Sequence, residues 1–243
     1  MKTRVILLGS LTAAFLGAAA GPLPAAEATP PPNVLSPAEQ AAGWRLLFDG
    51  QSTRGWRGYR RKDFPSQGWV VEAGCLRKLP RVRGGDIVTE AEFGDFELVW
   101  EWKLPASANN GVKYLVLESR PGAPGHEYQM IDDTTVNNPL QKTAAFYDVL
   151  PPGPNARPRP PGEWNTSRIL VQGTHVEHWL NGQMVLAYEL GSPEVKARVA
   201  ASKFKKAPGF GEKCRGPILL TDHGDEAWFR NIKLRELPEA AAR

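Results

Sequence analysis

Apolar and polar side chains alternate along several short stretches of this chain. In DFELVWEWKL, residues 95–104, every second residue from Phe96 to Leu104 is apolar, and most of the residues between them are charged. A period of two is typical of a strand with one face in a core and the other facing outward. The same alternation recurs in GVKYLVLES, HEYQMID and RILVQGTHVEHWLNGQMVLAYEL. These stretches predict a largely β fold.

Turn-forming residues divide the chain into short pieces. Asn181-Gly182 lies between two alternating runs and is a strong hairpin signal, because both residues tolerate a positive φ. Loops rich in glycine and proline cover residues 120–125, 151–162 and 206–217, and each is long enough to border a binding site. A helix is predicted only at residues 36–42, where Ser36 would cap and Pro37 would occupy the first turn. The chain is therefore expected to form one all-β domain, a sandwich or jelly roll.

The first 28 residues have the features of a secretory signal peptide. Met1–Arg4 carries two positive charges, residues 5–20 are apolar or small, and Ala26-Glu27-Ala28 provides a small-x-small cleavage site. We expect an exported protein, periplasmic or secreted, with a flexible segment over 29–36, a single domain over 37–238 and a tail over 239–243. No stretch of the sequence approaches the roughly 20 apolar residues that a membrane span needs.

Charge and cysteine content exclude several classes of protein. The formal net charge is +4, and it falls to +3 once Lys2, Arg4 and Glu27 are removed with the signal peptide, so a nucleic-acid partner is not expected. The basic stretch at 203–215 is interpreted as a solvated loop. Cys75 and Cys214 would form a disulfide after export only if the fold brings them together, and neither has a neighbouring thiol for a zinc site.

Candidate catalytic groups come from the polar faces of the strands. The sequence has no phosphate-binding glycine loop, G-x-S-x-G elbow or H-E-x-x-H motif. Glu101 is either a water-facing charge paired with Lys103 or a functional carboxylate on a rigid sheet. Glu127 and Gln129 share one face of their strand, which Asp132 closes. Two such strands would supply an acid and a base if their polar faces meet across a substrate.

Histidine placement gives one further candidate. His175 and His178 lie three residues apart on a predicted strand, so they are expected to point to opposite faces rather than to share a metal. His126 beside a proline/glycine loop is as consistent with a solvated side chain as with a functional one. His223, in the Asp-His-Gly turn, suits proton transfer or metal ligation, with a structural hydrogen bond as the alternative.

Other polar and aromatic residues are candidates for substrate contacts. Arg230 would pair with Asp222 or Asp225, or else bind substrate oxygens. Tyr147 and Trp164 lie next to loops and are candidates for stacking on a sugar ring.

Seven ordered blocks of the sequence together resemble a known family. They are LFDGQSTRGW, GDIVTEAEFGDFELVWEWKL, NNGV, HEYQMIDD, AAFYDVLPP, GEWNTSRILVQGTHVEHWLNG and LLTDHGDEAWFRNIKLREL. Across residues 44–237 this pattern resembles the 3-keto-disaccharide hydrolase domain family. The resemblance implies a concanavalin A-like jelly roll of two curved antiparallel sheets. It also implies a small carbohydrate substrate already oxidised at C3. Because such a ketone makes the C2 proton acidic, elimination across C1–C2 followed by hydration is the hypothesis for its cleavage.

The resemblance also implies roles for individual residues. His223 would act as general base or metal ligand, with Asp222 orienting it, and Glu127 and Glu101 would transfer protons or bind a metal. Asp132 matches a further acidic position of the family. A divalent metal, held if present by Glu127 and His223, would suit stabilisation of an enolate, but the residues do not demand one. The expected substrate-binding residues are Gln129, Tyr147, Lys142, Asn110, Trp164 and Arg230.

The chain departs from the family pattern at three positions, and two other functions remain open. Asn110, Thr221 and Lys103 stand where serine, glutamine and arginine are common, and Thr221 lies next to the Asp-His-Gly turn. One alternative is an ordinary glycosidase that uses Glu101 and Glu127 on an unoxidised glycan. The other is a carbohydrate-binding module without catalysis.

Overall fold

The computed structural model describes residues 31–122 and 124–238. The predicted signal peptide and the C-terminal tail lie outside these residues. Part of the segment predicted to be flexible is described, and there Asn33 donates its side-chain amide to the Gly74 carbonyl at 2.8 Å and accepts from the Asn231 N–H at 2.9 Å. Within the described ranges, no helix is long and apolar enough to cross a membrane.

The described residues form thirteen strands, two α-helices and two short 3-10 helices. The helices are α1 (Pro37–Ala41) and α2 (Pro193–Ala201), and the 3-10 helices are Asp133–Thr135 and Pro139–Gln141. The strands are β1 (Arg45–Leu46), β2 (Trp56–Gly58), β3 (Trp69–Glu72), β4 (Cys75–Lys78), β5 (Ile87–Thr89), β6 (Phe96–Lys103), β7 (Asn109–Tyr114), β8 (His126–Ile131), β9 (Asn165–Gln172), β10 (His175–Leu180), β11 (Gln183–Glu189), β12 (Leu219–Leu220) and β13 (Ala227–Glu236).

These strands make two antiparallel sheets. The eight-stranded sheet has the order β11-β10-β9-β6-β13-β4-β3, with β1 also paired to β13. The five-stranded sheet has the order β2-β5-β12-β7-β8. Strands that are neighbours in a sheet are often far apart in the sequence, so each sheet is assembled from both halves of the chain. The predicted concanavalin A-like jelly roll is confirmed.

The core lies between the two sheets and contains the apolar faces that the alternation predicted. Phe96, Leu98, Trp100 and Trp102 of β6 are all buried. The Trp100 ring meets the Tyr128 ring of β8 edge-on, with centroids 5.0 Å apart. Because successive side chains of a strand point to opposite faces, the residues between these core positions face away from the opposing sheet. Each sheet therefore has an outer face where polar side chains collect.

The Asn181-Gly182 hairpin is confirmed between β10 and β11, where the two residues have φ values of 49° and 82°. The predicted helix at the N-terminus is also present: the Ser36 hydroxyl accepts from the Glu39 N–H, and the Glu39 carboxylate accepts from the Ser36 N–H. The prediction of a single helical segment was wrong, because α2 was missed. Ser192 caps α2 and Pro193 begins it, which is the same signal as at α1.

The histidines of β10 point to opposite faces, as predicted. His178 is fully buried and contacts the Tyr114 hydroxyl at 2.7 Å, whereas His175 lies outside and pairs with Glu189 at 2.7 Å. Burial lowers the pKa of His178 to about 4. His126 is buried too, and burial lowers its pKa to about 3. Both core imidazoles are therefore neutral at physiological pH, and the interpretation of His126 as a solvated side chain was wrong.

The two cysteines are not joined. Cys75 is a buried free thiol in β4, and the Cys214 thiol donates to the Leu115 carbonyl at 3.1 Å. Burial raises the pKa of both thiols, so each is held in its protonated form.

Candidate active site on the five-stranded sheet

A pocket lies on the outer face of the five-stranded sheet, where β7 and β8 run side by side. Lys113 of β7 is the register partner of Glu127 of β8, and Gly111 is the partner of Gln129. The neighbouring residues Val112 and Tyr128 face the core, so these four face outward. The cavity above them is about 140 Å³, and its lining includes Asn109, Lys113, Glu127, Gln129, Tyr147, Lys203, Phe204 and His223.

Glu127 is the buried carboxylate of the pocket, with 8% of its side chain exposed. Its Oε1 lies 3.8 Å from His223 Nε2, and its Oε2 lies 3.8 Å from the Lys113 ammonium. Within the described part of the chain, Oε1 has no hydrogen-bond partner. Burial raises the pKa of Glu127, but Lys113 and His223, with a smaller contribution from Lys203, outweigh it and leave the pKa below its ordinary value. The carboxyl is therefore ionised and has a free oxygen.

Gly111 makes room for this carboxylate. A Cβ at position 111 would lie 2.3 Å from Glu127 Oε1 and 3.0 Å from its carboxyl carbon, which is closer than non-bonded atoms approach. The backbone of Gly111 does not have a positive φ, so space rather than conformation explains the glycine. The sequence analysis did not single out this residue.

His223 lies in the turn between β12 and β13, and the acids on either side of it anchor that turn. Asp222 Oδ2 accepts from the Gly84 and Gly85 N–H groups at 2.8 Å, and Asp222 Oδ1 pairs with the buried Lys78 ammonium at 2.9 Å. Asp225 accepts from the Asn109 N–H at 2.9 Å. The imidazole between these anchors faces the pocket with 40% of its side chain exposed.

The expectation that Asp222 orients His223 was wrong, because the carboxylate is occupied by Lys78 and by backbone N–H groups. One of these is the Gly224 N–H, which donates to Asp222 Oδ1 at 2.9 Å. Gly224 has a φ of 87°, a conformation that glycine adopts without strain, so it permits the turn. Asp222 holds the loop on which His223 sits, and the group nearest to the imidazole is Glu127.

A second acid, Asp86, interacts with the charged side chains of the pocket. Asp86 accepts the Asp222 N–H at 2.8 Å, and its charge interacts with those of Lys113, His223 and Glu127. Burial, with a smaller contribution from the Glu127 charge, raises the pKa of Asp86 against the Asp222 hydrogen bond and the charges of Lys113 and His223. Glu127 and Asp86 are thus carboxyls with pKa values displaced in opposite directions, which is a pattern found in sites that move protons.

Polar groups on the other side of the pocket can bind a ligand. Gln129 donates to the Asn109 side-chain oxygen at 3.3 Å, so the two amides form one surface beside Glu127. The Lys203 ammonium lies 4.1 Å from the centre of the Tyr147 ring. Of the substrate-binding residues expected from the sequence, Gln129 and Tyr147 line this pocket. Lys203 also lines the pocket, and it is exposed on a turn segment, in agreement with the interpretation of 203–215 as a solvated loop.

Glu101, Arg230 and Trp164 belong to the other sheet. Glu101 lies on the outer side of β6 and accepts from Arg230 Nε and from the Asn231 side chain, each at 2.7 Å. The Arg230 guanidinium lies 4.0 Å from the centre of the Trp164 ring. The structure does not bring these residues to Glu127, because both sheets and the core between them intervene. Arg230 pairs with Glu101, not with Asp222 or Asp225 as the sequence suggested.

Asp132 and Lys142 lie beyond the end of β8, near a different cavity of about 440 Å³ that Asp132 helps to line. Asp132 accepts from the Ser107 N–H at 2.8 Å and from the Thr134 N–H at 3.0 Å, and these bonds lower its pKa. The Lys142 ammonium donates to the Asp133 carbonyl. Asp132 is thus the cap of a 3-10 helix, and neither residue lines the pocket at Glu127.

Asn110 is fully buried on the core side of β7, so it does not contact a ligand in the pocket. Its side-chain nitrogen donates to the Thr221 carbonyl at 2.9 Å, and its side-chain oxygen accepts from the Thr221 hydroxyl at 3.3 Å. These are two of the three positions at which the chain departs from the family pattern. Since they bond to each other, Asn110 and Thr221 form one structural unit beneath the His223 turn.

Sequence reasoning missed Asn109, Gly111, Lys113, Lys203 and Asp86. The period of two in GVKYLVLES does place Lys113 on the polar face, so a signal existed for that residue. Lys203 and Asp86 lie on segments far from β7 and β8 along the chain. Only the tertiary structure brings them to the pocket.

The donor set at the pocket does not make a metal site built by the protein. Glu127 and His223 are two ligand-type side chains, and residues 31–122 and 124–238 contain no group of three or more histidine, cysteine, aspartate or glutamate side chains that could hold a metal. The Lys113 ammonium already supplies positive charge at Glu127 Oε2.

Comparison with known proteins places this chain among carbohydrate hydrolases. A crystal structure of a candidate glycosyl hydrolase from Parabacteroides distasonis is 35% identical, with a TM-score of 0.77 over 86% of this chain and 100% of that chain. A second structure from that organism is 24% identical, with a TM-score of 0.63 over 80% of this chain and 99% of the other, and shares the fold. The protein class is that of carbohydrate hydrolases.

Two further matches assign the chain to one family of carbohydrate hydrolases. The model of the 3-keto-alpha-glucoside-1,2-lyase-like domain matches residues 43–235. A 3-keto-disaccharide hydrolase of Bacteroides thetaiotaomicron is 35% identical over 237 residues, which cover 81% of this chain and 79% of that protein. The chain belongs to the 3-keto-alpha-glucoside-1,2-lyase-like domain family.

Proposed function

We propose that this protein cleaves the glycosidic bond of 3-keto-glycosides, with His223 as the group that transfers the proton and Glu127 as the carboxylate that stabilises the protonated imidazole. The observation that carries the proposal is the 3.8 Å separation of His223 Nε2 and Glu127 Oε1 inside a pocket that also contains two lysines. The names of the family and of the relative support the substrate: one describes a 3-keto-glucoside lyase and the other a 3-keto-disaccharide hydrolase. Elimination followed by hydration would account for both names.

The first step is removal of the proton at C2 of the sugar. The ketone at C3 makes this proton acidic, and His223 accepts it as general base. The C–H electron pair then moves into the C2–C3 bond, and the ketone oxygen becomes an enolate. Glu127 stabilises the imidazolium that forms, because its carboxylate is ionised and adjacent.

The pocket supplies positive charge and hydrogen-bond donors for the enolate. Lys113 and Lys203 are the cations, and the Gln129 and Asn109 amides are the neutral donors. Fixed charges and dipoles aimed at an oxygen that gains charge in the transition state are commonly the largest contribution to catalysis. No step needs a group that the described side chains do not provide.

The second step breaks the bond between C1 and the aglycone oxygen. The enolate electrons form the C1–C2 double bond as the aglycone leaves, and the proton held by His223 neutralises the departing oxygen. Water then adds across C1–C2, with its hydroxyl at C1 and a proton at C2. The net reaction is hydrolysis to a free 3-keto sugar and an alcohol.

The ordinary glycosidase that uses Glu101 and Glu127 has no support from this geometry. A pair of catalytic carboxylates must lie within roughly 10 Å across one substrate. Glu101 faces the outer side of the eight-stranded sheet and is bound by Arg230 and Asn231. Glu127 faces the outer side of the five-stranded sheet, so no single sugar reaches both.

Turnover of a chromogenic pair of substrates tests the proposed function. We expect the wild-type protein to release nitrophenol from 4-nitrophenyl 3-keto-glucoside and not from 4-nitrophenyl glucoside. His223→Ala should lose at least about 100-fold in kcat/KM, in the range that general-base groups contribute. His175→Ala is the matched control, because His175 pairs with Glu189 outside the pocket. Equal turnover of the plain glucoside would overturn the proposal.

We also propose that the protein works outside the cytoplasm, in the periplasm or as a secreted enzyme. The support is the charged, apolar and small-residue pattern of residues 1–28. Mass spectrometry of the protein purified from its producing cells should find Thr29 as the first residue. An intact Met1–Ala28 segment on all of the protein would count against export.

A further inference from the structure

The pocket at Glu127 opens into a second, wider cleft. The cleft is about 580 Å³ and is lined by Pro121, Gly122, Lys203, Phe204, Lys206 and Ala207. Gly122, Lys203 and Phe204 line both cavities, so the two are continuous. The pocket alone is about 140 Å³, well below the roughly 300 Å³ at which ligand sites usually begin. A glycoside bound at His223 must therefore extend beyond the pocket.

The cleft is positively charged and has no acid in its lining. Lys203 and Lys206 are its charged residues, and within the described part of the chain neither ammonium forms an ion pair. The Lys203 ammonium instead lies over aromatic rings, 4.1 Å from the centre of Tyr147 and 5.1 Å from that of Phe204. The Lys206 charge is thus available to an anion, and Lys203, whose charge also acts on Glu127, adds to the positive potential that attracts one.

The cleft also offers a fixed aromatic surface. Phe204 is half-buried and stacks on Phe210 with ring centroids 4.3 Å apart and planes 27° apart. Phe210 in turn stacks on Phe146 of the core at 5.8 Å. Since Phe204 is held from behind, the part that remains exposed can pack against a ring in the cleft.

We propose that this cleft is the aglycone subsite and that Lys206, with Lys203, selects an aglycone that carries an anionic group. The subsite rests on the proposed function, since it takes the group that leaves from C1 of a sugar bound at His223. The aglycone ring packs on Phe204 and Pro121, and its carboxylate, sulfate or phosphate lies near the two ammonium groups. Lys206 is a specificity-determining residue rather than a catalytic one.

Two substrates of matched shape test this proposal. They are the 3-keto-glucosides of 4-hydroxybenzoate, which is anionic, and of 4-hydroxybenzamide, which is neutral. We expect the wild-type protein to favour the carboxylate by roughly two- to fivefold in kcat/KM, the range of an exposed ion pair, and to lose the preference in high salt. Lys206→Ala should remove most of it and Lys206→Arg should keep it. Lys205→Ala is the control, because Lys205 is exposed but does not line the cleft.

The outcomes separate the two proposals. Turnover of both substrates with no preference in the wild type would overturn the anionic subsite and leave the proposed function standing. The same conclusion would follow if Lys206→Ala and Lys205→Ala had the same preference as the wild type. Turnover of neither substrate would overturn the proposed function and the subsite with it.

Discussion

At the scale of single residues, the position of the Glu127 carboxylate depends on the smallest residue of the site. Gly111 leaves the space that Oε1 occupies, and Lys113 two residues later provides the charge that keeps the carboxyl ionised. Both lie on β7, opposite β8, so one strand supplies the room and the charge for a carboxylate on the next. A substitution of Gly111 would remove the space alone, and a substitution of Lys113 would remove the charge alone.

Gly111→Ala should reduce activity without unfolding the protein. The new Cβ would lie 2.3 Å from Oε1 and would push the carboxylate away from His223. Misplacing a catalytic group by about 1 Å can cost on the order of 100-fold, so we expect a fall of roughly 10- to 100-fold in kcat/KM. Gly94→Ala is the control, since a Cβ there meets nothing closer than 3.7 Å. Unchanged activity in Gly111→Ala would contradict this role.

Lys113→Met should raise the pKa of the Glu127 carboxyl. The pKa of Glu127 lies below its ordinary value in part because of Lys113, so the ionised form is present above that ordinary value and is lost as the pH falls through the lowered pKa. Without the lysine, protonation of Glu127 occurs at a higher pH. The ¹³C shift of the Glu127 side-chain carboxyl, followed against pH by NMR, measures this change, with Lys205→Met as the control. A Glu127 titration at the wild-type pH in Lys113→Met would show that Lys113 does not set this pKa.

The sequence predicted part of the site at this scale. His223 and Glu127 were both candidates, and the structure brings them together. Glu101 and Asp132 were equally good candidates by residue type, but one is bound by Arg230 and the other caps a 3-10 helix. An alternating strand shows which residues share a face. It does not show which faces of distant strands meet, and that arrangement decides the site.

At the scale of elements, the turn between β12 and β13 is held by a buried ion pair. Lys78 at the end of β4 and Asp222 are 2.9 Å apart, with 0% and 2% of their side chains exposed. Lys78 also donates to the Leu79 and Val82 carbonyls, and Asp222 accepts from Gly84 and Gly85. The pair therefore fastens the loop after β4 to the turn that carries His223.

Asp222→Asn should destabilise the protein by about 3 kcal/mol, because it leaves the Lys78 charge buried without its partner. Lys78→Met should lower the free energy of unfolding by a similar amount. The double variant should lose less free energy of unfolding than the two single variants together. Urea unfolding measures all three. Glu72→Gln is the control, since it breaks the more exposed pair with Arg77 and should cost less than about 1 kcal/mol. Additive costs in the double variant would contradict the coupling.

Local sequence predicted the long strands and one hairpin, but it did not predict helix α2. The long alternating strands and the Asn181-Gly182 hairpin were predicted because their signals are local. Helix α2 was missed although Ser192 and Pro193 carry the capping signal, because only Val195 and Val199 of its nine residues are buried. A helix with so few buried positions shows little apolar periodicity.

At the scale of the whole molecule, two sheets with polar outer faces place candidate residues on opposite sides. The outer face of the eight-stranded sheet is filled by its own pairs, such as Arg230 over Trp164 and Lys103 between Trp164 and Trp228. The outer face of the five-stranded sheet has the pocket instead. Family resemblance predicted this architecture, whereas alternation alone predicted only a sandwich or a jelly roll.

Glu101→Gln should therefore leave turnover of a 3-keto-glycoside within about twofold of wild type. Its carboxylate interacts with Arg230 and Asn231 on the sheet that lacks the pocket, so the loss should appear as a fall of about 1 kcal/mol in the free energy of unfolding. Parallel assays of kcat/KM and urea unfolding distinguish the two effects. A loss of activity as large as that of His223→Ala would mean that Glu101 reaches the substrate.

Exchange of the C2 hydrogen tests the central claim most directly. In D₂O, the wild-type protein should release a 3-keto sugar that carries deuterium at C2, and a substrate labelled with deuterium at C2 should be cleaved more slowly than the unlabelled one. His223→Ala should lose the cleavage and the labelling together. Cleavage by wild type with the original C2 hydrogen fully retained, and without an isotope effect, would contradict the account.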